Sequence, residues 1–370
     1  MFKLKKKVIL AMSGGVDSSV SAWILKQQNY YVEGLFMKNW EENDKNFYCS
    51  AKQDLEDAEH VCRQLGIYLN KVNFSFEYWE NVFQVFIKEY QLGRTPNPDI
   101  LCNKEIKFKV FYEFAVNNLG ADFIATGHYV QKKYFKKSLF LLRGIDHNKD
   151  QSYFLYTINK SILNKCLFPL GKFNKKTVRN IAKNLNLIVS DKKDSTGICF
   201  INPKNINHFL NFYIPQKKGD IITPCGKTIG QHSGLVHYTL GQRKGLGIGG
   251  IKGIKNIPWY VVDKNVARNS LTVAQGMNND YLMSIGLIAC QLHWINRVQL
   301  SNIPFFCSVK IRYCQKDVSC KIFLYKKKFV KVLFQNPISS ITPGQSAVFY
   351  LSELCLGGGI IKTRLPILSL

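Results

Sequence analysis

Two periods alternate along roughly the first 130 residues. "KVILAM" is a short unbroken apolar run and predicts a buried strand; beyond it Val20, Trp23 and Ile24 fall at helical spacing between Ser18 and Gln28, and "YVEGLFM" reads as strand again. "SAKQDLEDAEHVCRQLGI" opens on Ser50 as an N-cap with Gln53 three residues on, and sets Leu55, Ala58, Val61, Cys62 and Leu65 on one face before Gly66 closes it. A second amphipathic stretch from Glu77 to Leu92 turns Trp79, Val82, Phe83, Phe86 and Tyr90 inward, and "DFIATGHY" returns as a strand. The alternation predicts an α/β fold, a doubly wound, mostly parallel, Rossmann-like sheet with helices on both faces.

After about residue 205 the helical periods fade. Gly-rich turns and short alternating segments such as "GLVHYTLGQRKGLGIGG" and "IPWYVVD" predict a small β-rich central module. Farther on, "FFCSVKIRY", "KIFLY", "KVLFQ" and "SAVFYL" alternate with turn signals, as a C-terminal antiparallel β-barrel requires. The expected division is 1–205, 206–280 and 281–370.

Composition narrows the partners. Lys and Arg number 51 against 25 Asp and Glu, a formal charge of +26. That excess favours a polyanion, nucleic acid first, because each phosphate neutralised releases counterions; a lysine-rich compositional habit is the bland alternative. The eleven cysteines are irregularly spaced and contain no C-x-x-C, so neither a disulfide framework nor a bound metal is expected, and a reducing cytoplasm fits. No apolar run approaches the length of a membrane helix, and the five apolar residues before Ser13 are too few for a signal-peptide core, so no membrane association is expected.

The first strand runs into "SGGVDSS" and then a helix. A strand-to-helix turn of this kind presents unpaired backbone N–H groups and the positive end of a helix dipole, while Gly14 and Gly15 allow close backbone approach. Phosphate is the natural occupant. The spacing is neither that of a Walker A loop nor that of a dinucleotide fingerprint. The plain alternative is a capped turn, with Asp17 or a serine as helix cap. Two cysteines also stand out: Cys102 follows a Pro-bounded turn beside Lys104, and Cys199 lies in a loop after Lys192 and Lys193. Those lysines would favour thiolate if the side chains approach, although each thiol taken singly reads as inert.

"SGGVDSS" resembles the signature of the PP-loop ATP pyrophosphatases. Together with "GLFMKNWEE", "TPNPDILCNKEIKF", "ATGHYV", "KDQSYFL", "DSTGICFI" and "GLVHYTLGQRKGLGIGG", it stands in the order and near the spacing of the tRNA-specific 2-thiouridylase family, over essentially the whole chain. The resemblance implies a cytoplasmic enzyme that uses ATP, with Mg²⁺ accompanying it, to adenylate the 2-position oxygen of a wobble uridine and replace it with persulfide sulfur. It implies ATP contacts from Ala11, Met12, Ser13, Gly14, Gly15, Val16, Asp17 and Ser18, with Met37 and Gly127 at the adenosine and Asp17 bonding within the loop or helping to hold Mg²⁺. Ala11 departs from the family's usual glycine, a change of little effect unless that backbone needs positive φ.

By the same resemblance the partners are a tRNA of the lysine, glutamate or glutamine kind and a sulfur-carrier protein that loads a persulfide onto Cys199. Cys102 is then the nucleophile that frees the product, leaving a Cys102–Cys199 disulfide. Asn97, Pro98 and Asp99 would meet the flipped base, with Asp99 as acid or base or, equally, a turn former. His128, Lys149, Asp150, Gln151, Arg312, Tyr313 and Gln345 would contact tRNA. A PP-loop ligase acting on RNA or a small molecule without sulfur transfer is the alternative.

Overall fold

The computed structural model describes residues 5–41, 51–194, 206–249, 257–298, 300, 303–326 and 328–369. Strands β1 (Lys7–Ala11), β2 (Tyr31–Lys38), β3 (Tyr68–Asn73) and β4 (Phe123–Ala125) run parallel. The hairpin β5 (Val130–Phe135) and β6 (Ser138–Arg143) leaves that sheet, and β7 (Cys166–Leu167) rejoins it beside β4. The resulting five-stranded order is β3-β2-β1-β4-β7. Only Phe123–Ala125 of the expected "DFIATGHY" strand is extended in the sheet; the chain then enters a loop that carries Gly127 and His128.

Alternation along β1 decides the layers. Val8 and Leu10 face one side, where α1 (Val16–Gln27), α2 (Ala51–Leu65) and, later in the chain, residues 175–184 supply Val20, Ile24, Ala58, Val61 and Val178. Ile9 faces the other, where Tyr78, Val82, Phe83, Ile106 and Phe111 pack. Fully burying a side chain of this size contributes roughly 1.5–3 kcal/mol, so both faces of the sheet are committed. Ser50, the expected cap of α2, lies outside the described residues; Gly66, at φ +59°, ends the helix as expected.

The second layer departs from simple helical periodicity. It consists of α3 (Ser75–Tyr78), a π-helical turn Trp79–Phe83 and α4 (Gln84–Gln91). Trp79, expected inward, is 37% exposed, and the core position beside it belongs to Tyr78, while Val82, Phe83 and Phe86 are buried as expected. The Trp79 ring lies instead against Trp40 and Phe83, at 5.7 and 4.7 Å between centroids. A second composite run joins α5 (Pro98–Leu101), a π-helical stretch Cys102–Val110 and α6 (Phe111–Asn117).

Beyond the sheet, α7 (Lys160–Lys165), α8 (Lys175–Asn184) and α9 (Ile206–Tyr213) lead into the β-rich part. Strands β8 (Gly219–Ile222), β9 (Thr228–His232), β10 (Trp259–Asn265) and β11 (Ser270–Gln275) make a four-stranded sheet around Ile221, Val261, Leu271 and Val273. The described part of "GLVHYTLGQRKGLGIGG" is not strand: Gly241, Gly245 and Gly247 at positive φ break the extension, and Leu235, Tyr238, Leu240 and Leu246 pack from a loop into that core.

The last strands are β12 (Met283–Trp294), β13 (Phe305–Lys310), β14 (Val318–Tyr325), β15 (Phe329–Ser339), β16 (Ser346–Leu351) and β17 (Leu354–Pro366). They pair antiparallel in the order β12-β15-β14-β13-β16-β17 and close into a barrel through β12–β17. β6 adds to β17 with Leu142 opposite Leu354 and Leu141 opposite Cys355. The α/β domain thus lends a hairpin to the barrel, and Val130, Leu139 and Leu141 share one apolar cluster with Val348, Tyr350 and Cys355. Among the described residues no helix is long and apolar enough to cross a membrane.

Candidate active site

The glycine loop sits where β1 gives way to α1, at the C-terminal edge of the parallel sheet, the side on which open α/β sheets bind ligands. Ala11 ends β1 in extended backbone and is not among the positive-φ residues, so alanine is no obstacle there. Gly14 adopts φ +68°, and a Cβ on it would lie 2.0 Å from the Asp54 carbonyl oxygen in α2. Gly15 is the N-cap of α1 and no side chain caps the helix, which removes the expected alternative of an Asp17 or serine cap. The Ser18 and Ser19 hydroxyls turn back to the Gly15 carbonyl at 3.1 and 2.8 Å, and Ser18 Oγ accepts from Ser13 N at 3.3 Å. Met12 and Val16 are buried beneath, and Ser13 is exposed above.

Met37 and Gly127 flank this loop. Met37 lies two residues beyond Leu35, the partner of Ala11, on the β2 side of β1; Gly127 follows β4 on the other side. A Cβ on Gly127 would stand 3.2 Å from Ser18 N, so the start of α1 and this backbone are in direct contact.

A chain of charges closes the site. Asp17 bonds outside its loop: it accepts from Tyr129 Oη at 2.7 Å and from Lys175 Nζ at 2.8 and 2.9 Å. Lys175 Nζ also pairs with Asp194 at 2.7 Å, and Asp194 takes Lys149 at 2.7 Å and Arg179 at 2.9 Å. Burial alone would raise the Asp194 carboxyl, but Lys149 and Lys175 outweigh it and hold it at about 2. Lys192, expected beside Cys199, reaches the glycine loop and α2. Its ammonium donates to the Gly14 carbonyl at 2.9 Å and to Asp54 at 2.7 Å and also pairs with Asp57, contacts that outweigh burial and raise its pKa. Cys199 itself lies outside the described residues.

Sequence reasoning missed Lys175, Asp194 and Tyr129, which meet Asp17 only through the fold. One signal was present: α8 begins with two lysines after its Asn174 cap, against the preference of a helix N-terminus for acidic groups.

The second part of the site is the composite run from Pro98. Asn97 caps it, its Oδ1 accepting from Asp99 N at 3.2 Å and Ile100 N at 3.3 Å, with Pro98 in the first turn. Asp99 is therefore not the capping group. Burial raises its carboxyl, partly offset by Lys107. Cys102 lies one turn along, inside the helical run rather than in a loop, and is 2% exposed in the core. Lys104, expected beside that thiol, is paired with Glu105 at 2.8 Å.

The remaining predicted residues have definite protein partners. His128 is buried, shares a 2.8 Å hydrogen bond with Thr126 Oγ1 and lies against Phe108; burial pushes its imidazole well below the usual value. Gln151 exchanges two hydrogen bonds with the Tyr129 backbone. Asp150 is 2% exposed and accepts from Gly144 N and from the backbone and hydroxyl of Ser152. From the barrel side, Gln345 Nε2 donates to the carbonyls of Thr95 (2.8 Å) and Pro96 (3.3 Å), just before Asn97. Arg312 donates to Leu240 and Ser340 carbonyls, and Tyr313 packs on Phe154, whose carbonyl accepts from Asn103 beside Cys102.

A glycine loop on a parallel sheet, followed by a small β module and a closed barrel, defines a PP-loop α/β protein. Residues 6–203 match the family model described as tRNA methyl transferase HUP domain, 207–275 the tRNA methyl transferase PRC-barrel domain and 284–361 the aminomethyltransferase beta-barrel domain. The chain is 67% identical over 371 residues to the tRNA-specific 2-thiouridylase MnmA of Buchnera aphidicola subsp. Baizongia pistaciae, covering all of both chains. It is 61% identical to that of Buchnera aphidicola subsp. Acyrthosiphon pisum, again covering all of both, and 58% identical to that of Serratia proteamaculans, covering 98% of each. The chain belongs to the tRNA-specific 2-thiouridylase family.

Proposed function

We propose that this chain is an ATP-dependent tRNA sulfurtransferase that makes 2-thiouridine at the wobble position. The reading rests on the glycine loop: α1 begins without a side-chain cap, and Gly14 is left-handed and tight against Asp54, so backbone N–H groups are held ready for an anion. Ala11 to Ser18 cradle the terminal phosphates of ATP, and Met37 and Gly127, on either side, bound the adenosine. Asp17, one-third exposed, is the carboxylate that would hold the water shell of Mg²⁺, which would neutralise charge on the leaving pyrophosphate.

The uridine 2-oxygen attacks the α-phosphate and pyrophosphate leaves, which turns a poor leaving group into AMP. A persulfide on Cys199, loaded by a sulfur-carrier protein, attacks carbon 2 and displaces AMP. Cys102 thiolate then attacks the Cys199 sulfur, releasing the thiolated tRNA and joining the two cysteines. Asp99, with its carboxyl raised by burial, is suited to hold a proton at the base. Cys102 must be uncovered to act, and the kink at Phe108 (φ −105°, ψ 15°) within the π-helical stretch marks where its helix can yield. Asn97 and Pro98 meet the target base, and His128, Lys149, Asp150, Gln151, Arg312, Tyr313 and Gln345 serve tRNA binding, several by holding the loops that touch it.

The test is incubation of purified protein with unmodified lysine, glutamate or glutamine tRNA, ATP, Mg²⁺ and a persulfide donor, with mass spectrometry of the anticodon nucleosides. The expected product is 2-thiouridine, lost in Cys199→Ser. Pyrophosphate release without any thiolated nucleoside would overturn sulfur transfer.

A further inference from the structure

The proposed reaction uses none of the barrel's cysteines, and two of them face each other. Cys307 on β13 and Cys320 on β14 stand directly opposite one another in the antiparallel register. Their Sγ atoms are 3.6 Å apart, in contact and about 1.5 Å beyond a bonded pair. Both pack in the apolar cluster of the barrel, Cys320 buried and Cys307 half-buried, so one sulfur is reachable and the other shielded. Facing residues of paired strands bring their Cβ atoms to within about 5 Å, close to the span of a disulfide.

We propose that Cys307 and Cys320 form a reversible cross-strand disulfide, a peroxide-responsive modification site inside the barrel. Cys307 sulfur attacks the peroxide, the O–O bond breaks, and water leaves behind a sulfenic acid. Cys320 sulfur then attacks the sulfenic sulfur, and a second water departs. The two thiols lose two electrons and the peroxide gains them. Cys307, half-buried, is the sulfur that peroxide reaches first, and Cys320 is shielded behind it. The bond closes the segment that carries Arg312, which donates to the Leu240 carbonyl of the central module, and Tyr313, which packs on Phe154 of the α/β domain. Oxidation therefore pins the loop by which the barrel grips both neighbours.

The full-length protein, treated with hydrogen peroxide under native conditions, alkylated and digested, is expected to yield the peptides of 307 and 320 joined, about 2 Da below their summed reduced masses. Dithiothreitol restores both. Cys307→Ser abolishes the link and retains the turnover of the reduced enzyme, and oxidised wild type unfolds a few degrees higher than Cys307→Ser treated alike. Complete alkylation of both cysteines after peroxide, sulfinic acid at Cys307 with Cys320 still alkylated, or a link that forms only in denaturant overturns the proposal. The readout lies at 307 and 320, so it stands or falls separately from sulfur transfer.

Discussion

Gly14 has the least freedom of any residue in the loop. A side chain there meets both a left-handed backbone, costing about 1–2 kcal/mol, and the Asp54 carbonyl at 2.0 Å. Gly14→Ala is expected to lower the unfolding midpoint by a few degrees and to cut ATP-dependent pyrophosphate release about 100-fold; wild-type release would contradict the assignment. Asp99 behaves in the opposite sense. Its folded carboxyl is raised, so ionising it at neutral pH opposes folding, and the penalty is absent below the unfolded pKa, where both states are protonated. Asp99→Asn should therefore unfold at a higher temperature than wild type at pH 7, with the gap closing as pH falls through the carboxylate range, while thiolation drops. Thermal unfolding from pH 3 to 8 checks the sign. The strand-to-helix turn at Gly14 and Gly15 was legible because its residues are neighbours in the chain. Tyr129, Lys175 and Asp194 were not, since residues far apart in the chain meet only after the sheet and α8 are in place.

Elements with a pure period were read correctly. β1, β2, α1 and α2 follow from apolar runs and helical spacing, and the closing strands follow from alternation. The π turns at 79–83 and 102–110 were not legible, because one inserted residue per turn leaves no compositional mark yet rotates every later side chain. Trp79, at the first position of its π turn, is exposed while Tyr78 before it is buried, and Cys102 begins the second π stretch in the core. The β5–β6 hairpin escaped for a different reason: β5, "VQKKYF", carries little apolar alternation, and it is held through β6, which joins a strand of the barrel. Gln345 ties the barrel to the loop that leads into Asn97. Two hydrogen bonds of this kind are worth about 1–3 kcal/mol together. Gln345→Ala is expected to slow thiolation about tenfold with nucleotide affinity unchanged, as measured by equilibrium binding.

At the scale of the whole molecule, the order of an α/β domain, a β module and a barrel was visible in the change of period, whereas the shared core was not. Ile9 of the central strand and Tyr350 of the barrel belong to one apolar cluster, so barrel and sheet are expected to unfold together. The charge of +26 makes the salt dependence a direct test of a polyanionic substrate. With about four phosphates neutralised, tRNA affinity should fall about 100-fold between 50 and 200 mM salt, and a flat response would contradict it. Lys175 adds a consequence of its own. Its ammonium already serves Asp17 and Asp194, and a polyphosphate in the loop gives it a third anion to satisfy. Fuel entering the cradle therefore slackens the mooring of residue 194, and by reciprocity a pull on that mooring alters how firmly the fuel is held. Binding of nucleotide and release of Asp194 become two faces of a single equilibrium.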